Sequence, residues 1–355
     1  MRYSLKQFIT AMKKVFLFFG LALLSNGSAL FAQSTATTTP VGFISETVNG
    51  GTLASPRLTL LSPTLTQPIV FQGTIASISG TTINVNGANW TAGQFNGANG
   101  SYYVEVFSAT KPGALSDITG TGSSSVTTAE NLTAFASAGD FIAIRKHITI
   151  SDFLGANNTY GLLASNSPTT ADEVLIYDGS HSVSYFYFTG DAFGDPPGWY
   201  DSAFTMQADG ITIAPHEGVI IKRKAAGNLT IVSTGTVKTG NTLFPVYNGL
   251  NVLGTLSAQG LTLGNSGLYT GSNTTGVTAS NSPTTADEVI IYSGTGQTSY
   301  FYFTGDAFGD PPGWYDSAFT VQADNVVIAP GTAFVVKRKN GGVAFNWALP
   351  SPASF

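Results

Sequence analysis

Ser184–Thr205 reads SYFYFTGDAFGDPPGWYDSAFT, and the same letters return unchanged at Ser299–Thr320. The offset, 299 − 184 = 115, holds from Ser165/Ser280 to Lys224/Lys339. A unit of that size is too long for a solenoid coil and large enough for a small domain, so the chain reads as tandem modules. Working outward, Ile148-Thr149-Ile150 resembles Leu261-Thr262-Leu263 at an offset of 113, which places the opening of each module.

The residue types around this segment are those of strands. With 41 Gly and only 10% charged residues, the chain has little material for amphipathic surface helices. Thr, Val, Ile, Tyr and Phe suit half-buried pleated positions. Thr74–Ile78 and Thr81–Val85 flank Ser79-Gly80 as a hairpin. In each repeat a short apolar run, Val174–Tyr177 or Val289–Tyr292, ends at a turn, Asp178-Gly179 or Ser293-Gly294. Asp209-Gly210 and Asp324-Asn325 predict a further hairpin in each copy, in the first between Phe204–Ala208 and Ile211–Ala214. Val219–Lys222 and Ala333–Lys337 close each module and run into a Lys-Arg-Lys triplet, expected as a solvated strand end. Thr127–Phe135, with Thr127 and Glu130 at capping-box spacing, is the one expected helix.

The expected organisation is therefore all-β: an N-terminal β domain followed by two tandem homologous modules of β-sandwich or β-barrel-like form. Residues 1–32 read as a secretory signal peptide, with Arg2, Lys6, Lys13 and Lys14 before the apolar run Val15–Leu24 and a cut after Ala32. A Thr-rich leader occupies 33–40, the N-terminal domain 41–147, the first module 148–240, a connector 241–260 and the second module 261–355. The apolar run is too short for a membrane-spanning helix, so the mature chain is expected to lack one. Its destination is then the periplasm, the cell surface or the medium.

Charge and cysteine content narrow the function classes. Cleavage after Ala32 removes four basic residues and no acid, leaving 11 − 20 = −9. An acidic chain of this kind is a poor partner for nucleic acid or anionic lipid. Zero cysteines exclude disulfides, thiolate metal sites and a cysteine nucleophile. The three histidines are His147, His181 and His216, and the last two face Gly296 and Gly331 in the second copy, so no histidine chemistry is shared. No nucleophile elbow, Walker loop, dinucleotide fingerprint or zinc helix is present. Asp172 and Glu173 with Asp191 would be the carboxylates of a glycosidase, although Asp172-Glu173 more often marks a solvated turn before a strand.

The two copies also act as an internal alignment. Tyr185–Thr205 is untouched, whereas Ser180-His181-Ser182-Val183 has become Thr295-Gly296-Gln297-Thr298. Recent copying alone would scatter the differences evenly, so the pattern points to constraint on the aromatic and acidic segment, with gene conversion as the alternative. Tyr185-Phe186-Tyr187-Phe188 alternates hydroxylated and bare rings, as a strand between a core and a wet layer does. Next comes a proline-stiffened loop whose Trp199 tucks back onto the sheet.

Two binding readings compete with that structural one. Exposed Trp199 and Tyr200 would stack on sugar faces while Asp191 and Asp195 accept hydroxyl hydrogen bonds, and Asp306, Asp310, Trp314 and Tyr315 would repeat the site with added avidity. Alternatively, Asp191, Asp195 and Asp201, with Asp306, Asp310 and Asp316, would supply oxygens to calcium, in a spacing unlike an EF-hand. No other cofactor is expected.

Pro40-Val41-Gly42-Phe43, Gly73–Val85 followed by Trp90 and Tyr102-Tyr103, and Ser266-Gly267-Leu268 carry a resemblance. So does the Ala-Pro step before a strand ending in Lys-Arg at Ile328–Lys339. In these segments the chain resembles a paralogous family of exported verrucomicrobial β-rich proteins. The resemblance implies export and β architecture and brings no catalytic residues. The loops before Trp199 and Trp314 are longer and more acidic than that family's glycine-rich version. The expected function is a non-catalytic role in surface architecture or adhesion, with self-association or a cell-surface glycan as partner. Polysaccharide binding through the repeated loops is the alternative, and a glycoside hydrolase is third.

Overall fold

Two of the three β units follow one plan, and the third is a closed barrel inserted into the first of them. The computed structural model describes residues 39–96, 101–107, 112–177, 181–294, 296–339 and 343–350. The expected signal peptide, most of the leader and the Asp178-Gly179 turn fall outside these residues.

Along the chain come β1 (Val41–Val48) and β2 (Arg57–Leu61), then the barrel strands β3 (Ile69–Ser79), β4 (Thr82–Val85), β5 (Tyr102–Val106), β6 (Leu115–Thr121), β7 (Ser125–Thr128) and β8 (Phe141–Lys146). The first repeat continues with β9 (Ile148–Thr149), helix α1 (Ile150–Leu154), β10 (Glu173–Tyr177), β11 (Ser182–Phe188), β12 (Gly198–Asp201), β13 (Thr212–Ile213), β14 (Val219–Arg223) and β15 (Leu229–Thr236). The second comprises β16 (Thr242–Val246), β17 (Gly249–Leu253), β18 (Leu261–Thr262), a 3-10 turn at Leu263–Asn265, β19 (Glu288–Ser293), β20 (Gly296–Phe303), β21 (Gly313–Asp316), β22 (Val327–Ile328), β23 (Phe334–Arg338) and β24 (Phe345–Leu349). The described residues are all-β apart from these short helical turns.

The first repeat's sheet has the order β12-β11-β10-β14-β2, and the second repeats it as β21-β20-β19-β23-β17. Registers agree as well: Leu61 lies opposite Val219 and Leu253 opposite Phe334, its equivalent 115 residues on. Leu61 therefore corresponds to Leu253, and 253 − 61 = 192 exceeds 115 by 77 residues, the bulk of the barrel. β1 and β2, assigned by sequence to the N-terminal domain, pair instead with β15 and β14. Residues 241–260, expected as a connector, carry β16 and β17. The sequence placed each module's opening two strands too late because those strands share few letters between copies.

The small elements follow the same plan. Thr149 caps α1 through a capping box with Asp152, and Thr262 does so for the second copy's turn with Asn265. The helix expected over Thr127–Phe135 is absent, because Ser125–Thr128 pairs as β7 and only a turn at Leu132–Ala136 follows. The expected hairpin of Phe204–Ala208 with Ile211–Ala214 is absent too, since β13 pairs with β9.

Alternation along the sheets gives each repeat two apolar faces. In the first, Val174, Ile176, Val219 and Ile221 face a core with Trp199, Phe153 and Ile231. Tyr177, Leu60 and Ile220 face the other way, against Val252, Val335 and Tyr292 of the second repeat. Burying each such side chain contributes roughly 1.5–3 kcal/mol. The contact is reciprocal: Leu61 bridges Thr332 while Glu217 bridges Leu253. Likewise Gly218 N–H donates to Val252 C=O at 3.0 Å and Ala333 N–H donates to Leu60 C=O at 3.2 Å. Each pair exchanges equivalent positions, so the repeats are related by an internal two-fold, as the subunits of a symmetric homodimer are.

The barrel closes in the order β3-β4-β7-β6-β5-β8 around Ile75, Ile83, Val104, Val126, Ile142 and Ile144. Irregular registers in β3 bend it far enough to pair with both β4 and β8. A buried ion cluster ties the barrel to the chain between the repeats. Glu105 meets Arg145 Nε at 3.1 Å and Lys238 Nζ at 2.5 Å. Lys238 also donates to the carbonyls of Thr239 and Asn241, which offsets the cost of burying it.

Candidate functional site

The repeated loop begins where β11 leaves the sheet and ends where β12 returns to it. One Oδ1 of Asp191 accepts the backbone N–H groups of Phe193, Gly194 and Asp195 at 2.9, 3.1 and 3.2 Å. Asp306 does the same for Phe308, Gly309 and Asp310 at 2.9, 3.0 and 3.2 Å. These carboxylates organise a tight turn, which Gly194 completes with a φ of 104°.

Asp201 performs a second structural task. Its oxygens accept the N–H groups of Thr205 and Met206, both at 2.8 Å, and the Thr205 hydroxyl at 2.6 Å. Burial pushes the carboxyl up, but those hydrogen bonds outweigh it and hold Asp201 below the usual carboxylate range. The clamp fixes Phe204 at a φ of 57°, a conformation a bulky residue seldom adopts, and Asp316 repeats it around Phe319. Phe204 thereby closes over Phe186, Phe188 and Tyr200.

The expected stacking surface is absent. Trp199 is 0% exposed and Trp314 2%, and Trp199 Nε1 donates to Gly155 C=O at 2.9 Å inside the core. Tyr200 and Tyr315 pack on Phe188 and Phe303, with their hydroxyls donating to Pro196 and Pro311 carbonyls at 3.2 and 3.3 Å. The bare rings Phe186 and Phe188 form a second small core with Ala171, and the hydroxylated face of β11, expected to be wet, is turned to the main core through Tyr185 and Tyr187. These rings are scaffold, so glycan stacking on Trp199 or Trp314 is ruled out by their burial.

The calcium candidates fare similarly. Among the described residues no group of three or more His, Asp or Glu is placed to hold a metal ion. Oδ1 of Asp191 and both oxygens of Asp201 already accept hydrogen bonds from their own loops, and Asp306 and Asp316 match them. Asp195 and Asp310 remain as exposed carboxylates of the loop.

Asp172 is buried, contrary to the solvated turn expected of it. It ion-pairs with Arg223 and accepts the N–H groups of Leu163 and Lys224 at 2.7 and 2.6 Å. Asp287 repeats this with Arg338, Thr278 and Lys339. Within each Lys-Arg-Lys triplet the arginine is buried, and so is Lys224, which reaches the Pro168 and Thr169 carbonyls and Glu173. The arginines and Lys224 are sealed in, while the leading lysines Lys222 and Lys337 keep 35% and 49% of their side chains exposed, and Asp172 is committed to Arg223 rather than paired with Asp191.

Beside these exposed carboxylates stand two outward-facing rings that are not among the expected site residues. Phe193 is 97% exposed and Phe308 96%. Each sits at the apex of its Asp-organised turn beside an exposed carboxylate, held out by a frame of hydrogen bonds and rings. The signal was present in Ala-Phe-Gly between two aspartates, repeated exactly where no strand alternation would bury the ring.

Compared with known proteins, the chain matches no family model, no curated protein and no solved structure. Among the described residues no helix is long and apolar enough to cross a membrane.

Proposed function

We propose that this chain is an exported, non-catalytic protein of the cell envelope or surface, acting in architecture or adhesion through two identical aromatic tips. One observation carries the reading: Phe193 and Phe308 stand almost wholly in water on turns built by the same hydrogen bonds. Exposing a large ring forgoes roughly 1.5–3 kcal/mol of burial, so its repetition favours a role in contact with something outside the fold. Two tips on one chain add avidity without new chemistry. Export rests on the basic and apolar N-terminal pattern.

The test uses Phe193→Ala, Phe308→Ala and the double variant. Retention on a hydrophobic sensor surface and assembly at rising concentration are measured for each. Each single variant should release roughly tenfold faster or more, and the double variant should not be retained. Full retention or assembly by the double variant would remove the reading. Fractionation of cells expressing a tagged chain tests export, and a cytoplasmic pool alone would count against it.

A further inference from the structure

Where the barrel's β6 meets the ribbon formed by β16 and β24, a cleft of about 310 Å³ opens. The join is fixed by Leu243 N–H donating to Gly113 C=O at 2.9 Å. Leu115, Leu132, Phe135, Leu243 and Phe345 give the cleft apolar walls. Glu130 and Tyr247 stand among its polar lining. Glu130 is held by its backbone, its N–H donating to Ser116 Oγ at 2.9 Å and its C=O accepting from the Thr128 hydroxyl at 2.7 Å. Its side chain is on the exposed side.

Tyr247 also lines an adjoining hollow with Glu217 and Tyr177. Its phenol is pushed up by burial and then by the charges of Glu130 and Glu217, so two carboxylates act on one ring. No Lys, Arg or His is among the described residues lining the cleft. His216, in the adjoining hollow, is pushed down to about 4 by burial and is neutral at pH 7. The hollow thus combines hydrocarbon walls, an accessible aromatic ring and negative charge, and the guanidinium of Arg338 behind the Phe345 ring is buried and neutralised by Asp287 at 3.1 Å.

We propose that this cleft binds an ammonium group carried on an apolar stem, with the stem against Leu115, Leu132 and Phe135 and the ammonium beside Tyr247 and Glu130. The cation is drawn by the ring face and the carboxylate together, and the stem leaves water for apolar walls. A carboxylate on the same stem meets like charge. An alcohol keeps the stem and loses the ionic part.

The experiment titrates the whole protein with n-hexylammonium, 1-hexanol, hexanoate and methyl glucoside, followed by calorimetry and by NMR shifts. Hexylammonium should saturate one site and bind about tenfold tighter than hexanol, with hexanoate weakest. Glu130→Gln should erase most of that tenfold preference while leaving the thermal midpoint unchanged, because the carboxylate is exposed. Tyr247→Leu should weaken the ammonium more than the alcohol. Equal binding of ammonium and alcohol, an unaffected Glu130→Gln variant, or saturation by the glucoside alone would overturn the proposal. Phe193→Ala with Phe308→Ala should leave these affinities intact, which separates this site from the aromatic tips.

Discussion

Gly218 and Ala333 hold the same place in the two repeats, 333 − 218 = 115 residues apart, and they touch each other across the internal two-fold. A Cβ built on Gly218 would lie 2.4 Å from the Cβ of Ala333, closer than two carbons can sit. Gly218→Ala should therefore destabilise by about 1–3 kcal/mol through overpacking. The exchange Gly218→Ala with Ala333→Gly moves the methyl to the other side of the axis and should recover most of that loss. Denaturant unfolding of the four proteins measures it, and simple additivity would contradict the two-fold contact.

Trp199 is a core residue, so its truncation should act on folding. Trp199→Ala is expected to cost about 3–5 kcal/mol, and Trp314→Ala a similar amount. Trp199→Phe keeps most of the packing and loses the hydrogen bond to Gly155, at a cost of about 1–2 kcal/mol. Urea midpoints of the three variants decide this. Wild-type stability in Trp199→Ala would show the ring to be dispensable.

Signals carried within a few residues of sequence are legible before folding, and signals made by distant partners are not. Val174–Tyr177, Tyr185–Phe188 and the hairpin at Gly80 were legible because strand alternation and turn residues are read within a few positions. The module boundary was not, since β2 and β17 are matched by their pairing partners and not by their letters: Thr59 and Asn251 stand at one position, each accepting a backbone N–H, from Asn49 and Tyr247. Pro-Pro-Gly-Trp leaves the burial of Trp199 open, because it says nothing about what lies opposite, here Gly155 at a distance of 44 residues. The cleft at Glu130 and Tyr247 was invisible because it joins segments that meet only when the barrel docks.

The Asp172–Arg223 pair is buried, so removing one partner strands a charge. Arg223→Met should lower stability by about 3–5 kcal/mol, whereas replacing both as Asp172→Leu with Arg223→Met should cost less. Thermal melts of the single and double variants test this, and a double variant worse than the single would contradict it.

His216 provides a pH signature. Burial lowers it to about 4 despite the opposing charge of Asp117, and His147 adds to the lowering. A base with a depressed folded value binds protons better when unfolded, so its contribution is whole above about 6.5 and is lost as pH falls toward about 4. That loss should reach about 2–3 kcal/mol. Unfolding free energy between pH 7 and 4.5 should fall more steeply for wild type than for His216→Gln. Parallel curves would show that His216 does not titrate with folding.

In the second repeat the path from Leu253 to Leu261 takes 261 − 253 − 1 = 7 residues, while in the first the path from Leu61 to Ile148 takes 148 − 61 − 1 = 86. Both routes leave and re-enter the same framework at matching points. The passage after β2 or β17 is thus a socket whose ends stay put whatever is mounted between them, and Gln259-Gly260 marks an empty one. A foreign folded cargo spliced there would hang on the framework much as the barrel does, giving a carrier with two mounts.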